Sequence, residues 1–214
     1  MNENNELDQT IVKISSVKRD HGKAILTLSN GKTHVMPRAL LKERPYRSGM
    51  PFDEDAFLLL LKDRSYPFAM DKAVTLLSMR ARTEKEIVDA LRRNSYPEET
   101  IARVMARLQE AGYINDAKFA VQFSSSRVSR GLGSHRIRMD LRMKGIDSEI
   151  IESTLDGLNH DDMLEAAIKM ARKAAHGKDL NDRADRQKLL AALARRGYGF
   201  STAKQALQAI LEEQ

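Results

Sequence analysis

The strongest constraint on the fold is a threefold repetition of apolar positions. Ile87, Leu91, Tyr96, Ile101, Met105 and Leu108 recur 50 residues later as Ile137, Leu141, Ile146, Ile151, Leu155 and Leu158. They recur again, a further 52 residues on, as Leu189, Leu193, Tyr198, Ala203, Leu207 and Ile210. In each copy two apolar residues four apart mark a first helix, a short break follows, and a second helix shows its own apolar stripe. The breaks fall at Asn94-Ser95, Lys144-Gly145 and Arg196-Gly197, where Gly or Asn supplies the left-handed residue that ends a helix. A further helix is expected before each pair, over residues 69–79, 117–126 and 163–175. Thr83-Glu-Lys-Glu86 has capping-box spacing and marks a helix start, and Gly112 closes the helix from Thr100, with Tyr113 and Ile114 packing after it. A three-helix unit of this size cannot bury its own face, so three copies (67–116, 117–162 and 163–214) are expected to stack into an elongated, slightly curved array.

The region before the repeats has a different period. Residues 11–17, 23–28 and 33–36 read as strands, and Asn30-Gly31 between the last two suits a type I′ hairpin turn. A small β-meander is expected, punctuated afterwards by Pro37, Pro45, Gly49 and Pro51. Asp53-Glu-Asp55 then opens a helix whose five consecutive apolar residues, Phe57 to Leu61, are expected to be buried on all sides and to dock the meander onto the repeats. Residues 1–66 thus read as a β-rich extension that is nearly neutral, with eleven Lys/Arg against nine Asp/Glu. The fold class is mostly α, with three tandem three-helix repeats preceded by the meander and its helix.

Charge sorts the copies. From Glu84 to Asp116 five bases face seven acids, whereas from Lys118 to Gly145 seven bases face Asp140 alone. From Lys169 to Lys204 ten bases face three acids. Solvated helix faces normally mix both signs, so the two later copies form a cationic region suited to phosphates or to an acidic protein surface. Arg127 and Arg130 lie close to one helical turn apart, and Arg138 and Arg142 lie one turn apart, so each pair can share a face. Arg127, Arg130, Arg136, Arg138, Arg142 and Lys144 of the second copy, with Arg195 and Arg196 of the third, are the candidate contacts. The plainer alternative is that these side chains only solubilise the surface or cap helix ends.

Catalytic patterns are wanting. The five histidines are scattered and no pair has the spacing that lets two imidazoles share a metal on one helix; His160-Asp161-Asp162 reads as a loop and helix cap. Gly131-Leu-Gly133 lacks the lysine and hydroxyl of a phosphate loop and reads as a flexible hinge. Ser124-Ser-Ser126 lacks the elbow glycines of a nucleophile, and Met139 and Met143 read as core gap-fillers. With no cysteine there is neither a disulfide nor a thiolate metal site, and no cofactor or metal is expected. The first ten residues are polar and acidic, without the apolar stretch of a secretory signal, so a cytoplasmic protein with no membrane span is expected. Two function classes besides the one below stay open: a stand-alone helical DNA-binding protein of repressor type, and an enzyme acting on nucleic acid.

Several of these residues recur as a set. Leu76-Leu77 with Arg80-Ala-Arg-Thr-Glu-Lys-Glu-Ile87, then Leu108-Gln-Glu-Ala-Gly-Tyr-Ile-Asn-Asp116 with Lys118-Phe-Ala120, then Arg136-Ile-Arg-Met-Asp-Leu-Arg-Met-Lys-Gly-Ile-Asp147, resemble the RecX family, regulators of the RecA recombinase. The resemblance covers about residues 69–214, and its specific part is 112–146. It implies three tandem three-helix repeats and a non-enzymatic modulator of recombination, repair and the SOS response. Such a protein, acting as a monomer, binds in the groove of the RecA filament on DNA. There it bridges neighbouring protomers and restrains ATPase, strand exchange and coprotease activity. Contact with DNA is then expected to be weak and salt-sensitive, made through the filament. Two departures stand out: Asn94-Ser95 replaces the usual Lys-Gly pair, and short family members lack the 1–66 extension.

Overall fold

The computed structural model describes residues 9–17 and 20–213. Two compact units divide the chain between Ile114 and Asn115. The first unit opens with an antiparallel sheet of β1 (Ile11–Val17), β2 (Asp20–Leu28) and β3 (Thr33–Pro37) in the order β1-β2-β3. Alternation puts Ala24, Leu26 and Leu28 of the central strand on the buried face with Ile11 and Met36. Tyr46, Phe52 and Phe57 complete that core, and His34 lies over Phe52 at 4.7 Å between ring centroids. The hairpin differs from the expected type I′ turn. Asn30 keeps a negative φ, the Gly31 N–H donates to Leu28 O at 3.0 Å, and only Gly31 (φ 82°) is left-handed. The loop is therefore three residues long with glycine at the bulge position.

A short 3-10 helix (Arg38–Lys42) follows, then α1 (Glu54–Met79), started by Asp53, whose carboxylate accepts from the Ala56 N–H at 2.9 Å. The helix passes through Pro67 unbroken, so the expected docking helix and the first helix of the first repeat are one continuous rod. The proline removes one internal hydrogen bond, while packing at both ends holds the helix: Phe57 lies in the sheet core and Ala69 and Ala73 in the repeat core. The run Phe57 to Leu61 is one-sided rather than wholly buried, since Phe57 is enclosed while Leu58 and Leu59 are exposed. α2 (Glu84–Arg93), capped by Thr83, and α3 (Glu98–Glu110) complete the first repeat. After α3, Ile114 enters the core as expected, but Tyr113 points to solvent.

The second unit holds the other two repeats: α4 (Asp116–Ser129), α5 (Ser134–Met143) and α6 (Ser148–Asp156), then α7 (His160–Ala175), α8 (Arg183–Arg195) and α9 (Phe200–Glu212). One core runs through both, from Ala120 to Ile210. Of the eighteen repeated apolar positions, sixteen are buried; Leu155 and Leu158 are only half-buried. For Leu158 the reason is helix length: α3 and α9 have 13 residues, whereas α6 has 9 and ends at Asp156, before the turn that would carry Leu158 inward.

The three breaks are built alike. Ser95, Gly145 and Gly197 are left-handed (φ 60°, 79° and 88°), and the N–H groups of Tyr96, Ile146 and Tyr198 donate to the carbonyls of Leu91, Leu141 and Leu193 at 3.2–3.3 Å. Each is a Schellman cap, in which the residue after the left-handed one closes onto the helix and packs inward. In the first copy the left-handed residue is Ser95 rather than Asn94. Asn94 stays at φ −90°, and its amide donates to the Ala90 carbonyl at 2.7 Å. The chain after α4 is no hinge either. Gly133 is buried, and its N–H donates to the Arg196 carbonyl at 3.0 Å.

Candidate functional site

The eight candidate cations all lie in the second unit, on α4, α5, α8 and their caps. They form three groups rather than one patch. Arg127 and Arg136 converge on Asp140, with guanidinium-to-carboxylate distances of 3.5 and 3.1 Å. Asp140 is buried on the inner flank of α5, one turn after Arg136, so the first carboxylate of a basic stretch serves as the internal counter-ion. Arg127 also covers the Phe123 ring at 4.5 Å, and the Lys144 ammonium sits 5.3 and 5.4 Å from Phe119 and Phe123, which stack on each other. These three cations are held by the fold.

The second group lies on the other flank of α5. At about 100° per residue Arg138 projects roughly 200° round the helix from Arg136 and close to Arg142. Arg138 makes a two-pronged pair with Glu152 of α6, its Nε and Nη2 donating at 2.8 and 2.7 Å. That pair raises the guanidinium pKa and holds the Glu152 carboxyl below its ordinary value. Arg142 is exposed and makes no hydrogen bond or ion pair through its side chain among the described residues.

The third group gathers where the repeats meet. Arg196 follows α8, and its guanidinium comes within 3.9 Å of where a Cβ on Gly131 would stand. Arg130 immediately precedes Gly131, and Arg195 immediately precedes Arg196. All three are exposed, with no side-chain partner among the described residues. Burial beside them pushes the Tyr198 phenol up to about 12, against the pull of Arg196.

Between the two arginine flanks of α5, the outward face carries residues that sequence reasoning placed inside. Met139 and Met143 are 56% and 67% exposed, not core gap-fillers. The core side of α5 is already filled by Ile137, Leu141 and the Asp140 pair, which leaves the methionines facing water. Gly199 lies against His135 at the start of the same face, and the next residue, Phe200, is 76% exposed. An exposed methionine strip edged by arginines is suited to protein contact, with charge orienting the partner and Met supplying adaptable area. The strip's signal was the one-turn methionine spacing, which cannot by itself distinguish the inner from the outer face.

The described residues hold no cluster of three or more His, Asp or Glu arranged for a metal, and none of their helices is long and apolar enough to cross a membrane. Fold and surface together define a helical-repeat protein of three three-helix domains that presents a cationic and apolar face. Its sequence matches the first, second and third three-helix domains of RecX over residues 69–108, 115–155 and 161–207. The chain belongs to the RecX family. It is 28% identical over 200 residues to the regulatory protein RecX of Bacillus velezensis, covering 92% of this chain and 76% of that one. It is 37% identical over 141 residues to the regulatory protein RecX of Mycolicibacterium smegmatis, covering 63% and 75%. Crystal structures of a regulatory protein RecX (24% identity, 94% and 99% coverage) and of RecX from Lactobacillus salivarius (25%, 67% and 95%) each superpose with a TM-score of 0.63.

Proposed function

We propose that this chain is a non-enzymatic regulator of the RecA recombinase, seated in the groove of the RecA–DNA filament and restraining its ATPase, strand exchange and coprotease activities. Membership of the RecX family supports the class of activity, and the face of α5 supports the mode. The single observation that carries the reading is Met139 and Met143 exposed on a helix edged by unpaired Arg142 and by Arg136. Arg130, Arg142, Arg195 and Arg196 supply electrostatic attraction to RecA or its DNA. Arg127, Arg136, Arg138 and Lys144, already engaged within the fold, present the surface and stiffen it. The single core shared by repeats 2 and 3 makes that surface rigid, so modest contacts to neighbouring protomers reinforce one another.

The test is steady-state ATP hydrolysis by RecA on single-stranded DNA. The wild-type chain is expected to inhibit it. The double variant Arg142→Glu/Arg195→Glu is expected to lose most of that inhibition with an unchanged circular dichroism spectrum. Full inhibition by the folded variant would remove these arginines from the mechanism. Arg138 is avoided, since reversing its charge would set it against its own partner's neighbourhood and confuse binding with folding.

A further inference from the structure

The first unit contains a second cationic site that the near-neutral composition of residues 1–66 conceals. A groove of about 790 Å³ lies between the N-terminal sheet and the first repeat. Its rim carries Arg38 and Lys42 from the two ends of the 3-10 helix and Lys72 from α1. Among its described lining residues the one acid is Asp71, and Phe68 and Tyr96 contribute rings. None of the three cations makes a hydrogen bond or ion pair through its side chain among the described residues. Several other exposed cations of the same unit are paired with acids: Arg80 with Glu86 at 2.9 Å, Lys85 with Asp89 at 2.7 Å, and Arg92 with Glu98 at 2.8 Å. Three like charges brought together round one groove repel each other, and a polyanion relieves that repulsion while releasing its own counter-ions.

The groove is fixed by a close approach. A Cβ on Gly22 of β2 would fall 1.5 Å from Asn94 Oδ1, so sheet and first repeat touch only because residue 22 is glycine. This accounts for the departure at position 94. A compact asparagine folded back onto Ala90 O fits under β2, where the Lys144 and Arg196 of the other copies would not.

We infer that this groove binds the phosphodiester backbone of a nucleic-acid strand, through Arg38, Lys42 and Lys72. An acidic peptide fits less well. Extended peptides are usually captured by pairing with a run of free strand edge, and among the described residues lining the groove Gly22 is the one strand residue, too short a run to add a strand. Recognition thus falls to side-chain charge, which makes it indifferent to base identity. The inference does not depend on the RecA reading, and its test contains no RecA.

The experiment measures anisotropy of a fluorescein-labelled oligothymidylate with the full chain across a salt series. It compares wild type, Lys42→Gln/Lys72→Gln, and Arg142→Glu/Arg195→Glu. At about −0.7 per phosphate in log affinity against log salt, losing two groove contacts is expected to make the slope shallower by about 1.4 and to weaken low-salt binding roughly fivefold or more. An oligoadenylate is expected to behave in the same way. The groove variant's circular dichroism is expected to match wild type, because both lysines lack side-chain partners among the described residues. An unchanged slope and affinity in that folded variant would overturn the assignment. So would a labelled polyglutamate peptide that binds wild type, loses binding in the groove variant, and leaves oligonucleotide binding untouched.

Discussion

The Gly133 N–H donates to the Arg196 carbonyl at 3.0 Å, joining the start of α5 in the second repeat to the cap of α8 in the third through backbone alone. A second bond, from the His135 N–H to the Gly197 carbonyl at 3.0 Å, makes the junction two-pronged. Backbones come this close because both caps are glycine. A Cβ on Gly133 would lie 2.3 Å from the Gly197 oxygen, and one on Gly197 would lie 2.4 Å from the Arg136 nitrogen. The weld sets the backbone of Arg136 against Gly197, the residue after Arg196, so two of the three cationic groups are anchored to the inter-repeat packing.

Gly133→Ala is therefore expected to destabilise the second unit by roughly 1–3 kcal/mol, the range for forcing volume into closed packing. Gly177→Ala is the control. Gly177 is also left-handed (φ 73°), yet nothing lies within 4 Å of its would-be Cβ, so its cost is limited to the roughly 1–2 kcal/mol of the backbone conformation. Urea denaturation of both variants checks the ranking. The discriminating readout is binding: Gly133→Ala should weaken RecA inhibition by shifting the junction that carries Arg136 and Arg196, and Gly177→Ala should leave it intact.

Ser95 occupies the cap position that Gly145 and Gly197 fill in the other copies, and it does so with a Cβ in the left-handed region. Ser95→Gly is expected to stabilise the first unit by about 1 kcal/mol, because the relief of the left-handed conformation outweighs the greater freedom of glycine in the unfolded chain. A rise in the urea midpoint with no change in slope would confirm it. A fall would show that the serine hydroxyl contributes more than the strain costs.

How legible these features were depends on whether they were written in neighbouring residues. The repeats could be read because helix geometry forces apolar residues into fixed spacings, and sixteen of the eighteen positions are buried. The continuity of α1 through Pro67 could not, since local punctuation signals a break and only packing at both ends holds the helix together. The sequence showed that α5 is cationic, but not that Arg136 and Arg138 point to opposite flanks with counter-ions from different helices. Met139 and Met143 have core-like spacing on a helix whose core side was already full. The groove of the first unit was least visible, because Lys72 lies on α1, thirty residues beyond the 3-10 helix that carries Arg38 and Lys42, within a stretch of balanced charge.

The Arg138–Glu152 pair makes a pH prediction. Hydrogen bonding to Arg138 lowers the Glu152 carboxyl pKa in the folded state, so the unfolded chain takes up the proton first as pH falls. The pair's contribution is fully present above the ordinary carboxylate range and is lost as pH drops through the lowered folded value. Glu152→Gln removes that contribution at neutral pH and has nothing further to lose in acid. Urea midpoints at pH 7 and pH 3 should therefore differ less for Glu152→Gln than for wild type. Equal decrements would mean that the pair does not couple α5 to α6.

Asp140 makes the opposite demand, since it is buried and serves two guanidiniums. Replacing it with asparagine keeps the size and removes the charge, leaving Arg127 and Arg136 to face each other without a counter-ion. Arg127 suffers more, because its Nε is buried without a hydrogen bond of its own and depends on the carboxylate 3.5 Å away. Asp140→Asn is expected to cost about 1–3 kcal/mol, the penalty for leaving a buried polar group uncompensated, although it raises the net positive charge of the surface. If charge alone governed RecA binding, this variant would inhibit more strongly than wild type. If ordered arginines are required, it should inhibit less, even at temperatures where circular dichroism shows it folded. Pairing Asp140→Asn with Arg127→Met should recover stability, because an apolar chain of similar length needs no partner beneath Phe123. It should not recover inhibition if the ordering of Arg136 is what the carboxylate supplies.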